Sequence, residues 1–132
     1  MLTIDKTSRK PIYEQIVLGV ERQISAGVLK EGDKLPSVRE LSVLLDANPN
    51  TIQKAFTELD RAGLTVSHPG RGCFVAAGAQ DAIRRRGEDR LQQMQKTAIS
   101  LMEAGWTLQE LQAALTQAAN IYQRQRKDDT EL

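Results

Sequence analysis

Five consecutive residues, His68-Pro-Gly-Arg-Gly72, put one proline and two glycines into a stretch that cannot be the interior of a helix or strand. Short apolar runs at residues 64–67 and 73–75 flank it, so the segment is expected to be the tip of a β-hairpin. The apolar residues elsewhere recur mostly at helical spacing. The chain is therefore expected to be mainly α with a small β-hairpin wing.

Ahead of the hairpin the spacing predicts three helices. Between Pro11 and Gly27 the apolar positions are Ile12, Ile16, Val20 and Ile24, with Tyr13 and Val17 alongside. Proline suits the first turn, and glycine suits the residue beyond the last. The link EGDKLP reads as turn chemistry. Ser37-Val-Arg-Glu40 is a capping box, in which the serine accepts a backbone N–H and the glutamate reaches back. Val38, Leu41, Leu44 and Leu45 are expected to bury one side of this short second helix. Asn48-Pro49 opens a third, with asparagine as cap and proline at the first helical position. Ile52, Ala55, Phe56 and Leu59 are its apolar stripe and Gly63 its end. Three helices, a strand, a basic loop and a second strand follow the order of a winged helix-turn-helix.

The small residues Ala76-Ala-Gly-Ala79 mark a candidate boundary, dividing the chain into residues 1–76 and 77–132. Beyond it, Leu91, Met94, Ala98 and Leu101 step as coiled-coil core positions do, with Ala104 extending the stripe to Gly105. Trp106 is expected to pack the turn, and Thr107-Leu-Gln-Glu110 is a second capping box. Leu108, Leu111, Leu115, Ala118 and Tyr122 then form a second seam. Two helices of roughly 20 residues, joined by a tight turn, are expected to make an antiparallel pair. The final KDDTEL is expected to fray.

Composition narrows function mainly by exclusion. Aromatics are 4% of 132 residues, so the core must be built from Leu, Ile, Val and Ala. One cysteine excludes a disulfide framework, and one histidine excludes the usual zinc clusters. There is no recognisable nucleophile–base motif and no phosphate-binding glycine loop, so neither an enzyme nor a cofactor is expected. No apolar run approaches the ~18 residues of a membrane span, and no signal-peptide pattern opens the chain. A cytoplasmic protein without membrane contact is expected. The net charge of +1 neither requires nor excludes DNA, because a local cationic face can sit on a neutral protein.

The pieces taken together resemble the DNA-binding domain of the GntR superfamily of bacterial transcription regulators. Those pieces are Pro11-Ile-Tyr-Glu-Gln-Ile16 and Gly32-Asp-Lys-Leu-Pro-Ser-Val-Arg-Glu-Leu41, then Asn48-Pro-Asn-Thr51 with Ala55, Leu59 and Gly63-Leu64, and Gly70-Arg-Gly72 with Phe74-Val75. The short tail and the Asn-Pro-Asn-Thr phrasing look like the YtrA-type branch. A tail of about 55 residues is too small for the effector-binding or aminotransferase-like domains of other branches. Three positions depart from the family pattern. Asp46 stands where glycine is usual before the recognition helix, Gln53 where arginine is frequent, and Cys73 where threonine or serine is.

The resemblance implies a winged helix-turn-helix domain followed by a two-helix antiparallel dimerisation tail, and it implies DNA-contact roles. Arg39 is expected at phosphate or a guanine edge; the alternative is a surface arginine paired with an acid. On the third helix, Asn50 and Gln53 are matched to adenine, Thr51 to phosphate or a thymine methyl, and Lys54 to phosphate. Asn48 belongs to the same set, with capping as its main task. In the wing, Arg71 is expected in the minor groove or on phosphate, with Gly70 allowing close backbone approach and His68 touching backbone. Arg84-Arg-Arg86 reads as a solvated face with a weaker possibility of DNA backbone contact, and Cys73 as a half-buried strand thiol. The expected function is a homodimeric repressor on an inverted-repeat DNA operator, with no effector assigned. The competing reading is a winged-helix protein-interaction module.

Overall fold

The computed structural model describes residues 2–130, with side chains through residue 126. Its elements are α1 (Ile12–Ser25), α2 (Val38–Leu45), α3 (Pro49–Arg61), β1 (Thr65–His68), β2 (Gly72–Val75), α4 (Ala79–Glu103) and α5 (Leu108–Thr130). They form two compact units, Met1–Gly87 and Glu88–Leu132. The frayed end expected for residues 127–132 falls outside the residues whose side chains are described.

In the first unit the predicted stripes converge on one core. Ile16, Val20 and Ile24 of α1 are fully buried with Ile52, Ala55 and Leu59 of α3, and Leu41 of α2, Leu35 and Leu64 close the cluster. Each large side chain buried in this way stabilises the fold by roughly 1.5–3 kcal/mol. Helix α2 departs from expectation at one position: Leu44 is 67% exposed. At 3.6 residues per turn, Val38, Leu41 and Leu45 share one face and Leu44 lies about 90° from its centre. A helix of eight residues has only that face to offer the core.

The wing is wider than the hairpin alone. β1 and β2 pair antiparallel from Thr65↔Val75 to His68↔Gly72. The link expected to be only a turn adds an extended edge to β2. Leu35 N–H donates to Cys73 O at 2.8 Å, Val75 N–H to Asp33 O at 2.8 Å, and Gly32 N–H to Val75 O at 2.9 Å. Cys73, expected half-buried, is buried because it shares with Val75 the face of β2 that meets the core. Leu64 lies before the strand and turns the chain out of α3, its N–H donating to Leu59 O at 3.0 Å.

The start of α4 is anchored to the first unit. Ala79 and Ala82 are buried, Gln80 Nε2 donates to Ile24 O at 2.6 Å, and Gly78 N–H donates to Glu31 Oε1 at 2.9 Å. Arg86, expected on a solvated face, instead sits 3.7 Å from the buried Glu21 carboxylate. In the second unit, α4 ends at Glu103 ahead of Gly105, whose φ of 100° is open to glycine, and Trp106 N–H donates back to Leu101 O at 3.0 Å. Thr107 Oγ1 accepts the Glu110 N–H at 3.2 Å, the amide half of the expected box. The tail seams stay largely open in a single copy. Ala98, Leu101 and Leu111 are half-buried, whereas Leu91, Met94, Leu108, Leu115, Ala118 and Tyr122 are exposed. Trp106, expected to pack the turn, is also exposed, with 52% of its surface open to solvent. Among the described residues no helix is long and apolar enough to cross a membrane.

Candidate nucleic-acid interface

The helix pair α2–α3 is built by its caps. Ser37 Oγ accepts the Glu40 N–H at 3.0 Å and starts α2. Asp46 ends that helix in the left-handed region, at φ 48° and ψ 52°. Ser42 then closes the turn from both sides, its carbonyl accepting the Ala47 N–H at 3.1 Å and its hydroxyl donating to Ala47 O at 2.6 Å. Asn48 Oδ1 accepts the Asn50 N–H at 2.8 Å, so this side chain does cap α3, and Pro49 follows in the first helical position.

With Ile52, Ala55, Phe56 and Leu59 turned into the core, α3 shows solvent a polar face that begins at its N-terminus. Asn50 and Gln53 are exposed on it and Thr51 is half-buried. Lys54 is exposed as well, but its ammonium stands 4.1 Å from the centroid of the Tyr13 ring on α1. That cation–π contact occupies a side chain expected only at phosphate. Partial burial pushes the Tyr13 phenol above its usual range, and the neighbouring carboxylates of Glu14 and Glu58 push the same way.

Arg39 is exposed in the first turn of α2, just downstream of the segment bonded to β2. At the wing tip, Arg71 N–H donates to His68 O at 3.0 Å across Pro69 and Gly70, and Gly70 has φ 77°. Proline followed by glycine with positive φ is a type II turn, and it leaves the Arg71 side chain exposed. His68 is exposed, its ring tilted against Phe74 at 5.7 Å. Two cations escaped the sequence reading. Lys34 lies across Gly72, where a Cβ would come within 2.7 Å of its Cε, and Lys6 bonds Asp46 from forty residues away. Neither has a local signal, since each is placed by tertiary contacts. Among the described residues no group of three His, Cys, Asp or Glu side chains is arranged to hold a metal ion.

The family model for bacterial regulatory proteins of the gntR family matches residues 12–75, the span from the first residue of α1 to the last of β2. Two solved structures from Listeria monocytogenes are each 33% identical to the chain. One, a GntR family transcriptional regulator, aligns with a TM-score of 0.64 over 86% of this chain and 98% of its own. This chain belongs to the GntR family. The other, described as a transcriptional antiterminator, aligns at 0.69 over 90% of both chains. The HTH-type transcriptional repressor YtrA of Bacillus subtilis is 45% identical over 83 residues, which are 63% of this chain and 64% of YtrA. The chain thus matches just under two thirds of that relative's length. The DNA-binding domain of AraR in complex with its operator ORX1 aligns at a TM-score of 0.52 and 31% identity, over 57% of this chain and 93% of that domain. Within the GntR frame, the left-handed turn at Asp46 accounts for the glycine usual there, since glycine adopts that backbone without strain.

Proposed function

We propose that the chain is a sequence-specific, double-stranded-DNA-binding transcription regulator, a cytoplasmic repressor that occupies an inverted-repeat operator as a homodimer. One observation carries this reading: the N-terminal face of α3 is polar, exposed and capped, and an exposed arginine lies on α2 and another at the wing tip. An α-helix fits the major groove with its N-terminal residues at base edges. Asn50 and Gln53 are the adenine readers in this arrangement, and Thr51 meets a thymine methyl or phosphate. Arg39 and Arg71 clamp the backbone or, for Arg71, enter the minor groove, with Gly70 and His68 at the wing backbone. Asn48 holds the helix start, and Lys54 divides its charge between phosphate and the Tyr13 ring.

In this reading residues 1–76 bind DNA and residues 77–132 make the dimer. The open seams of α4 and α5 favour it, because such apolar stripes left in water are costly. The repressor names of YtrA and the operator complex of AraR support the same direction. Such a protein acts by occupancy, through a two-fold dimer that obstructs a promoter. Selection of bound fragments from a random DNA pool, followed by nuclease footprinting, tests the reading. Recovery of a protected inverted repeat is the expected result, and binding that shows neither sequence preference nor salt dependence overturns it.

A further inference from the structure

Asp46 is the one non-glycine residue with positive φ among the described residues, and it sits in the turn that sets the angle of α3 against α2. A left-handed backbone is unfavourable for any residue carrying a Cβ. Here the main-chain carbonyl of Asp46 and one of its carboxylate oxygens meet the same cation: Lys6 Nζ donates to Asp46 O at 2.6 Å and to Asp46 Oδ2 at 3.1 Å. A positive charge at this point also meets the C-terminal end of α2, where carbonyls lack intrahelical partners.

Lys6 arrives there on a built strap. Leu2 and Ile4 pack against the core, Leu2 lying over Gly19 where any side chain would collide. Gln15 of α1 grips the strap from its side, accepting the Asp5 N–H at 2.7 Å and donating to the carbonyls of Asp5 and Lys10 at 2.9 Å each. Asp5 Oδ1 in turn accepts the Thr7 N–H at 2.9 Å, folding the backbone on both sides of Lys6. The side chains of Lys6 and Asp46 are 50% and 97% exposed. An exposed pair between two mobile side chains is worth little. This one differs in that the lysine's backbone is fixed and its stronger bond is to a main-chain carbonyl.

We propose that Lys6 is a positioning residue for the recognition helix, holding the Asp46 turn in its left-handed conformation. Glycine would adopt this backbone unaided, whereas aspartate does so here with the lysine bonded to it. The proposal rests on the DNA-binding reading for its functional consequence, and not for the coupling itself. Loss of Lys6 lets the turn relax, so α3 no longer starts at a fixed angle and base readout suffers while phosphate attraction does not.

The test is a cycle of Lys6→Met and Asp46→Gly in the full chain, with Lys6→Arg as the conservative variant. Exchange of the Ala47 amide is followed by NMR without DNA. Affinity is measured for a fragment recovered by selection and for an unrelated duplex, at several salt concentrations. Lys6→Met is expected to speed Ala47 exchange severalfold and to weaken binding to the selected site about three- to fivefold. Affinity for the unrelated duplex and the salt slope should be unchanged. Lys6→Arg restores most of the affinity, and in the Asp46→Gly background, where the main-chain acceptor persists but the backbone needs no holding, Lys6→Met changes both readouts far less than in the native background. Equal losses in both backgrounds overturn the proposal, as does unaltered exchange. A salt slope lower by about one also overturns it, because Lys6 would then be a phosphate contact itself. Should the native chain bind no duplex, the DNA reading falls, and the exchange measurements still decide the coupling.

Discussion

Arg39 and Arg71 are exposed, and among the described residues neither is drawn into an ion pair. Their replacement by alanine should leave thermal stability within about 0.5 kcal/mol, as for surface positions generally. Each should lower the salt dependence of DNA binding by roughly one unit of slope. Affinity measured across a salt series checks both, and an unchanged slope in both variants argues for a non-DNA partner. Asp5 offers a separate readout on the strap. The Thr7 hydroxyl, and then the Thr7 amide, hold its carboxyl below the usual 3.8. A lowered folded value means that this contribution is present above the unfolded pKa and is lost as pH falls through the folded one. Thr7→Val should move the Asp5 titration upward, followed by carboxyl NMR. Single residues were legible in the sequence where their task is local. Asn48 announced its capping by standing before Pro49, whereas the place of Lys54 over Tyr13 depends on how α1 crosses α3.

Among the elements, the caps and the α4 docking carry separable stability. Asn48→Ala should cost about 1 kcal/mol in thermal unfolding without DNA, and Asn48→Asp close to nothing, since aspartate caps equally well. The same Asn48→Asp change should weaken DNA binding through repulsion of nearby phosphate, which separates the cap from the interface. At the start of α4, Arg86→Ala removes the cation beside the buried Glu21 and should destabilise by about 1–2 kcal/mol. Arg85→Ala, on the exposed side of the same run, should be near neutral. Helix boundaries could be read from proline, glycine and capping residues because these act within one turn. The third edge of the wing could not. Residues 32–35 begin in a turn, with Gly32 at φ 85°, and only pairing with β2 makes the residues after it an edge. Leu44 misled for a related reason: in a helix of eight residues, apolar character alone does not say which side meets the core.

At the scale of the molecule, light scattering at micromolar concentration should report about twice the chain mass. Leu115→Asp, at an exposed seam position, should reduce it to one chain mass without changing the melting of the first unit. A two-fold dimer must reach major grooves on one face of the duplex, so inserting about half a helical turn between half-sites should sharply weaken binding. Equal affinity for the original and lengthened sites would rule out this docking. The seam periodicity made the tail legible as two helices, since heptad spacing survives without tertiary help. How much of each seam stays open in one copy was not legible, because spacing marks an apolar face and not its partner.

The backbone bonds from residues 32–35 to β2 have a consequence for the shape of the DNA this protein prefers. They tie the lead-in of α2 to the wing through main-chain atoms, so the two arginine-bearing ends move as the jaws of a fixed-gap caliper. With Arg39 and Arg71 at DNA as proposed, the duplex has to bring its backbone and minor groove to that gap, and the cost of doing so depends on local stiffness. Base pairs that no side chain touches, lying between the α2 and wing contacts, are therefore expected to show a preference for whichever steps deform to the gap at least cost.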